Sequence, residues 1–166
     1  MSLADFPTQV ALQMKSIDLR LAVYQPDIPQ NLGSMIRLAA CFGVKMDIIG
    51  PCGFPFSKAV LKRTAMDYLD VAKIDHHSSY DFFRTNIPSS SRLVLLTVQA
   101  SVSIWDYKFK PNDTIVVGRE SVGVPDLIRK EIKDQIRIPM VPSVRCLNVA
   151  NAASIALAEA TRQIGM

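Results

Sequence analysis

Short runs of apolar residues recur along the chain, and proline, glycine or asparagine bounds most of them. Because these runs do not alternate with polar residues, they are typical of strands buried on both faces of a parallel sheet. Stretches with apolar residues three and four positions apart separate several of the runs, which is typical of helices. The predicted strands are 19–24, 46–50, 71–74, 92–97, 113–118 and 135–138, and the predicted helices are 32–42, 58–66, 79–85, 127–131 and 149–160.

The alternation of strands and helices predicts a parallel-sheet α/β domain. We assign residues 18–166 to this single domain and residues 1–17 to an N-terminal extension. Asn31 and Ser57 precede two of the predicted helices and are suitable N-terminal caps. Asn148 stands in the same way before the last helix, and a cap is the simplest interpretation of its role.

The composition is that of a folded protein with its own core. Of the 166 residues, 49% are hydrophobic, which is too apolar for a disordered chain. The net charge of +4 is compatible with a polyanion such as RNA, although many enzymes share it. No apolar run approaches the ~20 residues of a membrane span, and the N-terminus lacks the layout of a signal peptide. The sequence therefore predicts a cytoplasmic protein with no membrane partner.

The cysteines and histidines give no recognisable metal or disulfide pattern. Cys41, Cys52 and Cys146 are an odd number and include no short CxxC pair. The side chains of the adjacent His76 and His77 would point in different directions, and no carboxylate motif accompanies them. We therefore expect no bound metal, and we expect the two histidines to lie in a surface loop.

Three irregular loops each follow a predicted strand, at 25–31, 118–125 and 139–148. Ligands of parallel α/β sheets bind beyond the carboxyl ends of the strands, so these loops are the expected binding region. They and the helix after the first loop would present a carboxylate, two guanidinium groups and two amides, which suit a polar, anionic substrate. The residues are Asn31, Arg37, Glu120, Arg145 and Asn148.

Several common chemistries lack their motifs. The chain has no GxGxxG after its first strand, no GxxxxGK[ST] loop and no GxSxG elbow, which argues against dinucleotide-binding folds, phosphate-loop nucleotidases and α/β-hydrolases. Cys146 follows Arg145 and could be an activated thiolate. Since no histidine motif lies nearby, a buried or cofactor-lining thiol is the better interpretation.

Three motifs resemble those of the SPOUT RNA methyltransferases and occur in the same order. Residues 31–37 match N-x-G-x-x-x-R, residues 118–125 match G-x-E-x-x-G-x-P, and residues 138–152 match I-P-M followed by R-S-L-N-V-(S/A)-x-A. Cys146 stands where that family usually has serine. A thiol donates hydrogen bonds more weakly than a hydroxyl, so any orienting role of the serine would be reduced.

A further set of matches resembles the tRNA wobble-nucleotide 2′-O-methyltransferases within that superfamily. Residues 24–31 are similar to their Y-x-P-x-I-P-x-N opening, and residues 49–54 and 67–68 are similar to a strand turn and a D-Y pair. The resemblance implies a deep C-terminal trefoil knot, a homodimer, S-adenosylmethionine as cofactor and tRNA as substrate. By the same resemblance, the cofactor would contact Leu96, Gly118, Ile138, Met140, Cys146 and Leu147.

The resemblance also implies a mechanism. Arg37 would handle the proton of the ribose 2′-hydroxyl, Asn31 and Glu120 would hold Arg37 and the cofactor region, and Asn148 would fix the third loop. An arginine base is chemically awkward because a guanidinium stays protonated in proteins, so Arg37 would act with the phosphate or only orient the hydroxyl. Candidate phosphate contacts in the RNA complex are Lys58, Lys62, Arg63 and Arg145.

Other functions remain open on the sequence. The chain could methylate a different tRNA or rRNA position, or it could be a non-catalytic RNA-binding protein with the same knot. Cys146 is the one sequence feature that favours the non-catalytic alternative. A small α/β protein that binds an adenine-containing ligand without RNA is the third alternative.

Overall fold

The computed structural model, which describes residues 18–142 and 146–165, contains seven strands and five α-helices in that part of the chain. The first half consists of β1 (Arg20–Tyr24), α1 (Pro29–Phe42), β2 (Lys45–Ile49), α2 (Lys58–Ala65), β3 (Ile74–His77) and α3 (Tyr80–Asn86). The second half consists of β4 (Arg92–Leu96), β5 (Val102–Ser103), β6 (Asp113–Val117), α4 (Asp126–Glu131), β7 (Asp134–Arg137) and α5 (Val149–Ile164).

All strand pairs of the sheet are parallel, in the order β3-β2-β1-β6-β4-β7-β5. The central strands β1 and β6 pair directly, with Leu21 opposite Ile115, although 94 residues separate these two positions. This arrangement confirms the predicted parallel α/β sheet. Because every strand runs in the same direction, the loops after β1, β4, β6 and β7 emerge at one edge.

Helices cover both faces of the sheet. On one face, α1, α2 and α5 pack over alternate strand residues such as Leu21, Met46 and Ile115. On the other face, α3 and α4 pack over the intervening residues, among them Ala22 and Val116. The predicted strands were continuous apolar runs because both of these layers exclude water from the sheet. No helix in the described residues has the length and apolar character that a membrane crossing requires.

Several predicted boundaries were wrong. Helix α1 begins at Pro29 after Ile28, so Asn31 lies inside the first turn and does not cap it. A proline tolerates this position because its missing N–H has no partner in the first turn anyway. By contrast, the side chains of Ser57 and Asn148 do accept hydrogen bonds from backbone amides at the starts of α2 and α5, as predicted.

The predicted strand 71–74 and the predicted histidine loop were also wrong. The strand is β3, at Ile74–His77, so both histidines belong to the sheet. His77 is buried and its Nε2 lies 2.8 Å from Asp47 Oδ1, while His76 stacks on Phe56 with ring centroids 4.3 Å apart. The two rings do point in different directions, as alternation along a strand requires. Val102–Ser103, which fall in none of the predicted elements, form the additional edge strand β5.

Glu159 lies near the end of α5, and its carboxyl should make stability depend on pH. Arg162 and Gln163 donate hydrogen bonds to this carboxylate and lower its pKa from 4.5 to about 2. Because the pKa is lower in the folded protein, the stabilisation is present above pH 4.5 and is lost as the pH falls through about 2. We expect the difference in unfolding free energy between the protein and Glu159→Gln, measured by urea denaturation, to shrink over that interval. A difference independent of pH would contradict this prediction.

Candidate active site

A cavity of about 510 Å³ opens beyond the carboxyl ends of β4, β6 and β7. Its walls come from the loops that follow these strands and from the starts of α1 and α5. All the residues that the sequence assigned to the cofactor line it: Leu96, Gly118, Ile138, Met140, Cys146 and Leu147. The volume lies in the usual range for small-molecule and cofactor sites.

The loop after β6 forms one wall of this cavity and is closed on itself. Arg119 and Gly123 exchange backbone hydrogen bonds of 3.1 and 2.9 Å, and Gly123 has a positive φ of 70°. A Cβ atom on Gly118 would lie 2.6 Å from the backbone carbon of Gly123. The tight shape of the wall therefore requires glycine at position 118, and the left-handed backbone favours glycine at 123.

Asn31, Glu120 and Asn148 form a hydrogen-bonded chain that joins the first turn of α1, the loop after β6 and the cap of α5, and each of them lines the cavity. Asn31 Nδ2 donates to Glu120 Oε1 at 3.0 Å, and Asn148 Nδ2 donates to Asn31 Oδ1 at 2.9 Å. The Oδ1 atom of Asn148 accepts from Ala150 and Asn151 at the first turn of α5. Three of the residues assigned to catalysis are thus brought together, and one of them also serves as the helix cap.

Asp27 is a residue at this site that the sequence reasoning missed. Its amide donates to Glu120 Oε2 at 2.8 Å, and its carboxylate accepts hydrogen bonds from Arg119 and Ser121. The bonds from Arg119 and Ser121 lower the pKa of the Asp27 carboxyl below its usual value. The available signal was the opposite charge of Asp27 and Arg119 in two loops that were predicted to converge.

Arg37 lies apart from the chain of Asn31, Glu120 and Asn148, and it is not among the residues that line the cavity. Its guanidinium carbon sits 4.8 Å from the ring centroid of Tyr68, and its Nη2 lies 3.4 Å from Met66 Sδ. The expected contacts with Asn31 and Glu120 are replaced by these contacts. A guanidinium over an aromatic face is held in a defined direction, and here that direction is outward, because Arg37 is exposed.

The predicted RNA-contacting cations are only partly described by the structure. Lys58, Lys62 and Arg63 are exposed on α2. Arg145 lies outside the described residues. The three cations on α2 are free to meet phosphate, but their position on a helix surface is equally that of ordinary solvated side chains.

The cysteines near the cavity differ in their surroundings. Burial and the neighbouring Glu120 carboxylate raise the pKa of the Cys52 thiol to about 11, so it is protonated at neutral pH. Cys146 is exposed and lies in the cavity wall, where the sequence placed a cofactor-lining thiol.

The sequence is similar to a family of known proteins over most of its length. The model of the SpoU rRNA Methylase family matches residues 18–158. A tRNA (cytidine(34)-2'-O)-methyltransferase of Beijerinckia indica is 48% identical over 146 residues, which cover 87% of this chain and 91% of that protein. The Escherichia coli protein of the same name is 34% identical over 149 residues, which cover 89% of this chain and 94% of that protein.

Solved structures show the same architecture. One, described as giving structural insights into the 2-OH methylation of C/U34 on tRNA, superposes with a TM-score of 0.83 at 35% identity and covers 87% of this chain and 95% of that one. An rRNA methyltransferase of Sinorhizobium meliloti with AdoMet bound superposes with a TM-score of 0.79 at 25% identity. That match covers 94% of this chain but 60% of the other, which is the longer protein.

Proposed function

This chain belongs to the SpoU rRNA methylase family, and we propose that it transfers a methyl group from S-adenosylmethionine to the ribose 2′-hydroxyl of the wobble nucleotide, position 34, in the tRNA anticodon loop. The observation that carries the proposal is the hydrogen-bonded chain of Asn31, Glu120 and Asn148 in the wall of the cavity. The relatives named for this reaction match nearly the whole length of both chains, which supports the choice of tRNA.

The cavity has the character expected for S-adenosylmethionine. Leu96, Ile138 and Leu147 offer apolar walls to an adenine ring, and the tight turn at Gly118 lets the backbone approach a ligand closely. Glu120 and Asn148 supply polar groups that would fix the orientation of the cofactor in the cavity. When bound, the cofactor supplies an activated methyl group on a sulfonium, which is already a good leaving group.

The residues of the chain must then align the ribose hydroxyl and accept or steer its proton. We assign the alignment to Arg37, whose guanidinium stays protonated, binds the adjacent phosphate and orients the hydroxyl. An oxygen of that phosphate would accept the hydroxyl proton as the ribose oxygen takes the methyl group. Asn31, Glu120 and Asn148 act as positioning residues, because they tie the starts of α1 and α5 to the loop after β6. Alignment of this kind can account for a large part of a rate enhancement.

We propose that the active form is a cytoplasmic homodimer. Arg37 is exposed and does not line the cavity of its own chain, so a second copy can present its Arg37 to the substrate. We also propose the trefoil knot that the family resemblance implies. The insertion of β7 between β4 and β5, which follow each other in sequence, supports that path of the chain.

The substrate would be held mainly through its phosphates. Lys58, Lys62 and Arg63, with Arg145, are the proposed contacts, and no metal ion is needed for the reaction as proposed. Each phosphate contact releases counterions, so tRNA affinity should fall steeply as the salt concentration rises.

The decisive experiment is methyl transfer from labelled S-adenosylmethionine into total tRNA, followed by nucleoside analysis. Label in 2′-O-methylcytidine or a 2′-O-methylated uridine derivative from position 34 is the expected result. Label at another tRNA position, or only in rRNA, would overturn the assigned target. Binding of the cofactor without any transfer to RNA would favour a non-catalytic RNA-binding protein.

Cys146 provides a separate test of the cofactor site. Because this exposed thiol lies in the cavity wall, bound S-adenosylmethionine should slow its alkylation by iodoacetamide. Cys41 is also exposed but lies on α1 outside the cavity lining, so its alkylation should not respond to the cofactor. Peptide mass spectrometry distinguishes the two sites. Equal protection of both thiols, or of neither, would contradict the placement of the cofactor.

A further inference from the structure

Asp27 contacts three consecutive residues in the loop after β6. Its carboxylate accepts hydrogen bonds from Arg119 Nε and Nη2 at 3.2 and 2.8 Å. It also accepts bonds from the backbone amide and the hydroxyl of Ser121. Its own amide donates to Glu120 Oε2 at 2.8 Å. One residue of the loop after β1 therefore holds Arg119, Glu120 and Ser121 at once.

These contacts bear directly on the cavity, because residues 118–123 all line it. The backbone bonds between Arg119 and Gly123 fix the shape of the loop but do not attach it to the rest of the molecule. Asp27 provides such an attachment, since it emerges from β1, which pairs with β6 in the sheet. Without the Asp27 carboxylate, the side-chain bonds to Glu120 from Asn31 and to Gln25 from Arg119 would remain, and the loop would shift more easily as a unit.

The loop after β2 contacts Asp27 and the residue before it. The amide of Gly53 donates to the carbonyl of Pro26 at 2.9 Å. A Cβ atom on Gly53 would lie 2.7 Å from Asp27 Oδ1, so the two loops are in close contact. The carboxylate is 19% exposed and has little freedom to turn away from Arg119.

We infer that Asp27 is a positioning residue for methyl transfer, which fixes the wall at 118–123 and the Glu120 carboxylate before the cofactor binds. The inference rests on the proposed function, which makes this cavity the S-adenosylmethionine site. The contacts of Asp27 with residues 119–121 form a clamp on the wall. Because a wall that is ordered in advance spares the cofactor the entropic cost of ordering it, this clamp strengthens cofactor binding. Its effect should appear in cofactor affinity more than in the chemical step.

The chain offers a graded series of variants and a matched control. Asp27→Ala removes every contact of the carboxylate, whereas Asp27→Asn keeps an acceptor oxygen and loses the charge. The control is Asp126→Ala, because Asp126 accepts from Arg129 Nε and Nη2 at 3.2 and 2.7 Å, a nearly identical geometry. That pair lies on α4 and is not part of the cavity lining.

Three measurements test the clamp: hydrogen exchange of the amides in 118–124, equilibrium binding of S-adenosylmethionine, and steady-state methyl transfer. In Asp27→Ala, exchange of the segment and the Kd for the cofactor should both rise by about tenfold, as expected for the loss of a charge-assisted hydrogen bond. The KM for the cofactor should rise with a smaller change in kcat. Asp27→Asn should be intermediate, and Asp126→Ala should be unchanged in all three.

Three other results would contradict the clamp, its positioning role or the proposed function. Unchanged exchange in Asp27→Ala would overturn the clamp. Faster exchange with unchanged cofactor affinity would overturn its positioning role. If the unaltered protein bound no S-adenosylmethionine, while Asp27→Ala still accelerated exchange, the clamp would stand as a feature of the loop. Its role in methyl transfer would then fall together with the proposed function.

Discussion

Replacing Arg37 with alanine should lower kcat for methyl transfer by about 10²–10⁴-fold, the range for losing a group that moves or steers a proton in the transition state. Cofactor affinity should not change, because Arg37 is not part of the cavity lining. Arg37→Lys should recover little of the loss, since an ammonium cannot reproduce the planar fork of a guanidinium. Labelled methyl transfer at saturating cofactor, together with equilibrium cofactor binding, gives the two quantities.

Arg84→Ala is a suitable control for that experiment. Arg84 is an exposed arginine on α3, on the opposite face of the sheet from α1, where it pairs with Glu131. Its loss should leave kcat unaltered. Full activity of Arg37→Ala would remove the arginine from the mechanism, and a parallel loss in Arg84→Ala would indicate a general effect of charge.

The largest effect on stability is expected from Asp47→Ala, which should lower the free energy of unfolding by about 3–5 kcal/mol, as measured when one partner of a buried ion pair is removed. Asp47 is fully buried and accepts hydrogen bonds from Arg20 Nε and His77 Nε2, both at 2.8 Å. Without its carboxylate, the guanidinium of Arg20, whose side chain is 11% exposed, would lose its principal partner.

Asp75→Ala is the matched comparison for Asp47→Ala. Asp75 also contacts Arg20, at 3.5 Å, and pairs with Lys45, but its side chain is 43% exposed. A pair that water can reach contributes about 0–1 kcal/mol. Urea denaturation with an unchanged m value should therefore separate the two variants clearly. Equal losses would show that burial of Asp47 does not set the energy of this cluster.

Sequence patterns predicted the layers of this fold better than its edges. The apolar runs located β1, β4 and β6 to within a residue or two, because central strands buried on both faces leave a strong signal. The edge strands β3 and β5 were misplaced or missed, since their residues are mixed in polarity. His77 is a particular case: this histidine of a polar stretch is buried with its Nε2 hydrogen-bonded to Asp47, which is far away in sequence.

Local sequence patterns likewise predicted only part of the candidate site. The motifs located the cavity wall and the trio of Asn31, Glu120 and Asn148, because glycines and amides at loop–helix junctions leave a local signature. The outward direction of Arg37 depends on Tyr68, which lies in the segment after α2 and reaches Arg37 because that segment packs on α1. The clamp at Asp27 likewise depends on contact between loops about 90 residues apart, which no local pattern encodes.

The pairing of β1 with β6 also governs how the molecule can be assembled during synthesis. Residues 20–23 reach their partners at 114–117 only after most of the chain has left the ribosome. Until then, β1 has one open side, with unpaired backbone groups and buried-type side chains exposed to water. Pairing over so long a separation is slow, because a large loop must be closed before any contact repays it. A nascent chain that stalls before β6 is made would therefore be prone to aggregate. The rate at which the ribosome translates the mRNA between β1 and β6 sets how long the chain remains in this state.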